Sequence, residues 1–84
     1  MYEIVFTKEA KKQLEKLEKE VQLRITSALE RIRINPERHA KKLAGSDAYR
    51  LRVGDYRVIL DIQKNILVIL VIKVGHRKNI YNQF

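Results

Sequence analysis

Between Tyr49 and Leu60 the chain carries two alternating apolar and polar runs, Tyr49-Arg50-Leu51-Arg52-Val53 and Tyr56-Arg57-Val58-Ile59-Leu60, joined by Gly54-Asp55. Such a pattern predicts two antiparallel strands on a two-residue type II′ turn. With Gly54-Asp55 as the loop, Val53 pairs with Tyr56 and Arg52 lies across from Arg57. Strand side chains alternate between faces, so Arg50 shares the surface of Arg52 and Arg57. Like charges directly opposite one another destabilise a sheet, and folding alone does not account for three guanidiniums gathered on one face. Arginines on an outer hairpin face are ordinarily solvated charges. A third in register, with few acids nearby, favours a phosphate-binding surface instead.

Charge is distributed to match. The net charge is +8 over 84 residues. Residues 1–40 hold nine Lys/Arg against seven Asp/Glu, whereas residues 41–84 hold nine against three. A positive potential concentrated in one half recruits polyanions, which makes nucleic acid the first partner to consider. No basic stretch joins a large aromatic face, so a membrane surface is not expected. With no cysteine, neither a disulfide framework nor a thiolate metal site is available. The length suits one domain that buries about 60 to 65% of its unfolded surface. The apolar run Ile66 to Ile72 is too short to cross a bilayer and the N-terminus lacks a signal-peptide core, so the cytoplasm is the expected compartment.

Tyr2 to Phe6 reads as a strand, with Thr7 as N-cap of a helix starting near Lys8 and Glu9 in its first turn. Leu14, Leu17, Val21, Ile25, Ala28, Leu29 and Ile32 form one helical stripe, stopped by Asn35-Pro36. A break near Leu17 to Val21 would make an antiparallel helix pair, and one bent helix is the alternative. A polar connection over Glu37 to Lys42 then leads to strands at about Ala48 to Val53, Tyr56 to Ile62 and Ile66 to Val74, with a tight turn at Lys64-Asn65. The expected fold is a single α+β domain over residues 1–84: an N-terminal strand, a helical hairpin, an antiparallel three-strand meander and a short C-terminal tail.

Tyr49, Leu51, Val53, Tyr56, Val58, Leu60, Ile62, Leu67, Ile69 and Val71 make one apolar face, assigned to the helices. The other face carries the three arginines with Ile59, Val68, Leu70 and Ile72. Its apolar half needs cover, either from Ile80, Tyr81 and Phe84 in the tail or from a partner chain. His76, Arg77 and Tyr81 follow the last strand, which places them near the arginine face.

Three segments together resemble a known family. Lys41-Lys42-Leu43-Ala44-Gly45, then Tyr49 to Val58, then Val74-Gly75-His76-Arg77 with Tyr81 beyond, look like the RelE/ParE superfamily of toxin–antitoxin toxins, over essentially the whole chain. The resemblance implies a microbial-RNase-like fold, a RelB-like antitoxin as partner and no cofactor. RelE-like members cut mRNA in the ribosomal A site, whereas ParE-like members inhibit DNA gyrase. The RelE-like pattern carries over onto Arg50, Arg52, Arg57, Arg77 and Tyr81; Lys41, Lys42, Lys73 and Lys78 in the basic C-terminal half are the candidate RNA contacts beside them. This chain departs from it in having arginines at Arg50 and Arg52, where the family's pattern has lysines.

That departure constrains the chemistry. Attack of a ribose 2′-OH on the adjacent phosphate needs a base, charge stabilisation and an acid for the leaving oxygen. Arginine stabilises charge but accepts protons poorly. The base is then Tyr81, the preferred candidate, or His76, since an imidazole titrates near neutrality. Asp55 is the one acid in the expected site, so neither a paired-carboxylate mechanism nor a metal site is supported. Three readings follow: a metal-independent mRNA endoribonuclease, a ParE-like gyrase inhibitor, or a RelE homologue that binds RNA with impaired chemistry. The free domain is expected to be a monomer.

Overall fold

The computed structural model describes residues 1–80. β1 (Glu3–Phe6) leads into α1 (Lys8–Glu15), α2 (Lys19–Arg31) and a one-turn α3 (Pro36–His39). Then come β2 (Lys41–Lys42), β3 (Tyr49–Val53), β4 (Tyr56–Gln63), β5 (Val68–His76) and α4 (Arg77–Ile80). The strands form one mixed sheet in the order β1-β5-β4-β3-β2, with β1 parallel to β5 and the remaining pairs antiparallel. The α+β expectation and the β3-β4-β5 meander hold. Among the features not foreseen are the parallel pairing of β1, which joins strands distant in sequence, and β2, whose two residues are too few to show a period.

Local chemistry explains the helix boundaries. Thr7 is extended and its hydroxyl accepts from the Ala10 amide at 3.1 Å, capping α1 as its residue type suggests. The two-helix alternative is the observed one, although neither Gly nor Pro interrupts the segment. Gln22 caps the interruption: its Nε2 donates to the Leu17 carbonyl at 2.8 Å and to the Glu15 carbonyl at 3.4 Å, satisfying acceptors that the end of α1 leaves open. Pro36 does not merely stop a helix; it opens α3 from the first helical position, where its missing N–H is harmless.

The core lies between α1, α2 and one sheet face. Ile25 and Leu29 of α2 meet Leu51, Val58, Leu60, Ile69, Val71 and Val74, with Ala10 and Leu14 of α1. Ile25, Leu29, Leu60 and Ile69 are at most 1% exposed, and each such side chain contributes on the order of 1.5–3 kcal/mol. Leu67, expected on this face, is instead in the Lys64–Leu67 turn at φ 54° and is largely exposed. The tight turn expected at Lys64-Asn65 is therefore two residues longer, and Lys64 there meets Glu37 of α3 at 3.0 Å, which raises its ammonium above the ordinary lysine value.

A β-bulge then reverses the pattern. Ile59 pairs with Lys73 but Leu60 pairs with Val71, leaving Ile72 as the extra residue of β5. Simple alternation from Ile69 and Val71 would send Lys73 and Gly75 toward the helices. After the bulge Val74 and His76 go there instead. On the opposite face Ile59 is fully buried under Ile80, Ala48, Leu43 and Ile72. Ile80 thus supplies the cover expected of the tail, while Tyr81 and Phe84 lie outside the described residues.

β1 accompanies β5 only as far as Val71. Beyond it α1 completes the edge: Thr7 Oγ1 donates to the Ile72 carbonyl at 3.3 Å, and Gln13 Oε1 accepts from the Val74 amide at 2.8 Å. Val74 is 4% exposed, so losing that acceptor strands a buried N–H. Gln13→Leu is expected to lower stability by about 1–3 kcal/mol and to speed hydrogen exchange at the Val74 amide. Gln13→Glu keeps an acceptor and should recover most of the loss, as denaturant titration of the three proteins would check.

Candidate RNA-binding surface

The β3–β4 hairpin forms with the expected register, Val53 opposite Tyr56 and Arg52 opposite Arg57. Gly54 has φ 57° while Asp55 does not share a positive φ, the signature of a type II′ turn. Arg50 lies two residues along on the same face, opposite Ile59 on one side and Lys41 of β2 on the other. One row across the sheet therefore reads Lys41, Arg50, Ile59, Lys73, and the next reads Arg52, Arg57, Gly75. The third position of that second row is a glycine, so no side chain stands between Arg57 and the α4 segment.

Repulsion between Arg52 and Arg57 is relieved by geometry. Arg57 Nη1 donates to the carbonyls of Gly54 and Tyr56, each at 2.9 Å, drawing the guanidinium toward the turn. A guanidinium carries five N–H donors, and the three on Nε and Nη2 form the edge suited to bidentate contact with a phosphate. Arg52 is exposed and Arg50 half-buried.

Arg77 reaches the same end of the sheet from α4. Its amide donates to the Asp55 carbonyl at 2.8 Å, and its Nε lies 3.8 Å from Asp55 Oδ1. Asp55 thus has a positioning role that its place at the hairpin tip did not disclose. It holds the start of α4 against the turn, so that Arg77 and Arg57 belong to one surface although they are 20 residues apart.

His76 is not on that surface. It pairs with Tyr56 on the helix side, ring centroids 5.4 Å apart and nearly edge-on, because the bulge has shifted its parity. Its Nδ1 accepts the Lys78 amide at 3.2 Å, so the neutral ring holds its proton on Nε2. The lone pair that a general base would use is already engaged. Tyr81 lies outside the described residues.

The lysines divide. Lys41 stands on the arginine face, Lys42 opposite Tyr49 on the other, and Lys78 is exposed on α4. Lys73 is in the first row, but its side chain is only 18% exposed and its Nζ approaches Glu9 of α1 at 3.8 Å. Lys73 is thereby a tie between sheet and helix as well as a charge on this face. Among the described residues no three of His, Cys, Asp and Glu converge as metal ligands would, and no helix is long and apolar enough to cross a membrane.

Known proteins share this fold. The family model described as the ParE toxin of type II toxin–antitoxin systems, parDE, matches residues 4–81. A RelE-like toxin protein of Escherichia coli is 31% identical over 86 residues, covering 96% of this chain and 90% of that protein. Among solved structures, the RelBE2 toxin–antitoxin complex of Mycobacterium tuberculosis contains a chain that superposes with a TM-score of 0.84 at 25% identity, covering 90% of this chain and 98% of that one. A chain of the intact E. coli RelBE complex gives a TM-score of 0.80 at 30% identity, with 90% and 96% covered. The isolated E. coli RelE toxin gives 0.82 at 27% identity, with 99% and 94% covered. Sequence match, length and sheet topology agree, and the chain belongs to the RelE/ParE superfamily of type II toxin–antitoxin toxins, standing among its RelE-like members.

Proposed function

We propose that this chain is an mRNA endoribonuclease that acts in the ribosomal A site without a metal ion and so arrests translation. The observation that carries the reading is the gathering of Arg50, Arg52, Arg57 and Arg77 around one hairpin end, latched by Asp55. In the reaction the ribose 2′ oxygen attacks the adjacent phosphorus and the bond to the 5′ oxygen breaks. Negative charge grows on the non-bridging oxygens, and fixed guanidiniums stabilise it without reorganising. Arg57 is the best placed, since two backbone carbonyls hold it in position. Tyr81 takes the proton from the 2′-OH, and the departing 5′ oxygen takes a proton from water to leave as the 5′-OH. His76 is the weaker candidate, for its free lone pair is committed to the Lys78 amide.

The match to the ParE family model favours one rival, a DNA gyrase inhibitor that cuts no nucleic acid. The arginines at positions 50 and 52 favour another, a RelE-like protein that binds RNA with impaired chemistry. Translation with ribosomes and a defined mRNA, read by primer extension for new 3′ ends, separates them. New ends within codons support the nuclease. Gyrase inhibition without new ends supports the first rival, and ribosome binding without either supports the second.

The same assay apportions the residues. Arg57→Ala should reduce cleavage about a hundredfold, the scale for losing one preorganised donor. Its two turn contacts are exposed or half-buried, so stability should fall by no more than about 1 kcal/mol, measured by denaturant titration. A loss confined to stability would make Arg57 structural.

Tyr81→Phe should abolish most cleavage while His76→Gln costs little. If His76 were the base the order would reverse, and the rate would fall as acid protonates the imidazole. Full activity of Tyr81→Phe would remove Tyr81 from the mechanism.

The partner in the cell is a short acidic antitoxin resembling RelB, and the toxin alone is a monomer. On the face opposite the helices Val5 is 40% exposed beside half-buried Leu70 and Ile72, an apolar strip next to the basic rows. Such a strip suits an amphipathic segment with acidic flanks. Light scattering after co-expression with the neighbouring reading frame should give a hetero-complex whose association rate falls steeply with salt. A purely homomeric species would contradict this.

A further inference from the structure

A groove of about 540 Å³ opens between α2 and the tip of the β3–β4 hairpin, lined by Arg24, Arg31 and Arg52 with Ser27, Leu23 and Glu20. None of the α2 residues entered the sequence reading of the arginine face. β2 covers β3 only at Tyr49 and Arg50, so from Leu51 to Val53 the strand has an open edge. There Arg52 lines the groove from the sheet side. Arg24 lies at its other wall, close enough that its Nη2 would stand 3.0 Å from a Cβ built on Gly54.

The hairpin register adds a backbone donor. Val53 and Tyr56 flank the two-residue turn as the hydrogen-bonded pair, so the next pair, Arg52 and Arg57, turns its backbone groups away from each other. For Arg52 that direction is the open edge, and its N–H faces the groove that Arg24 and Arg31 line from α2, with Glu20 as the one acidic lining residue.

We propose that this groove holds the sugar–phosphate backbone of an RNA strand, outside the surface where cleavage is placed; the inference rests on the RNA-directed reading of the function. Arg24 and Arg31 are seven residues apart on α2, about 10 Å along the axis, far enough for each to meet a phosphate of its own. Their spacing fits neighbouring phosphates of a polymer. Arg52 belongs to both surfaces and makes them continuous around the strand edge. Leu23, 67% exposed at the rim, offers an apolar surface for a ribose or base. Addition of a peptide strand would instead need a row of outward backbone groups, and the edge presents those of one residue.

The test uses anisotropy of a labelled single-stranded oligoribonucleotide, 2′-O-methylated to prevent cleavage, titrated with the full chain over a range of salt. Arg24→Gln/Arg31→Gln should weaken binding on the order of tenfold and reduce the slope of log affinity against log salt by about 1.4, two phosphates at roughly 0.7 each. Lys8→Gln/Lys11→Gln removes the same charge from α1 and should leave both quantities near wild type. Ser27→Asp leaves the arginines in place, puts a carboxylate into the groove and should also weaken binding, which keeps a test available if the double variant fails to fold. Equal losses from the α1 and α2 pairs would mean that net charge alone acts, and an unchanged slope for the α2 pair would overturn the proposal. Loss of antitoxin affinity with RNA affinity intact would assign the groove to a protein partner and overturn it likewise. Wild-type binding with the expected slope but no new mRNA 3′ ends on ribosomes would leave the groove standing and remove the nuclease reading.

Discussion

With glycine at φ 57° in the first turn position, the β3–β4 hairpin is held to one register, and that register determines which residues the protein shows to solvent. A slip of one residue would carry Arg50 and Arg52 into the core and Leu51 out of it. Packing of Leu51 and Val58 against α2 and the turn at Gly54-Asp55 therefore enforce the same pairing. The cost is the opposition of Arg52 and Arg57, and it is lessened locally by the two carbonyls that draw Arg57 toward the turn. Arg77 depends on the hairpin as well, because its amide and side chain both meet Asp55 at the tip.

The second constraint is what happens to β5 after β1 ends. An exposed strand edge there would leave backbone groups without partners and invite pairing with another chain. Thr7 and Gln13 fill the gap from α1, so a helix takes over the work of a strand. At the same place the bulge at Ile72 exchanges the faces of β5, sending Val74 inward and Lys73 and Gly75 to the arginine side. The last stretch of β5 is thus fixed from both sides before it delivers Arg77.

These two constraints bear on the chemistry. A surface of arginines can bind and stabilise phosphate through a wide pH range, since guanidinium does not deprotonate in proteins. It leaves proton transfer to other groups. His76 has the right chemistry, but the bulge puts it beside Tyr56 and the Lys78 amide takes its Nδ1. The proposal of Tyr81 as base rests on the family resemblance, with His76 kept as the weaker candidate.

Much of this was legible in the residues themselves. Alternation from Tyr49 to Leu60 is a local property, and so is the demand of Gly54 for a II′ turn; together they determined the hairpin, its register and the shared face of three arginines. Thr7 as an N-cap was equally local. What the sequence could not disclose depends on contacts between distant segments. The bulge at Ile72 answers packing across β4 and β5, the end of α1 answers a side chain in the next helix, and β2 exists only because β3 is there to pair with it. For the same reason Arg24 and Arg31, one stripe of charge on a helix when read along the chain, become part of a basic groove only when α2 is laid beside the tip of a hairpin about 30 residues away. Local periodicity specifies faces and turns; which faces meet is decided by the free energy of the whole core, and that is where the tertiary structure had the deciding part.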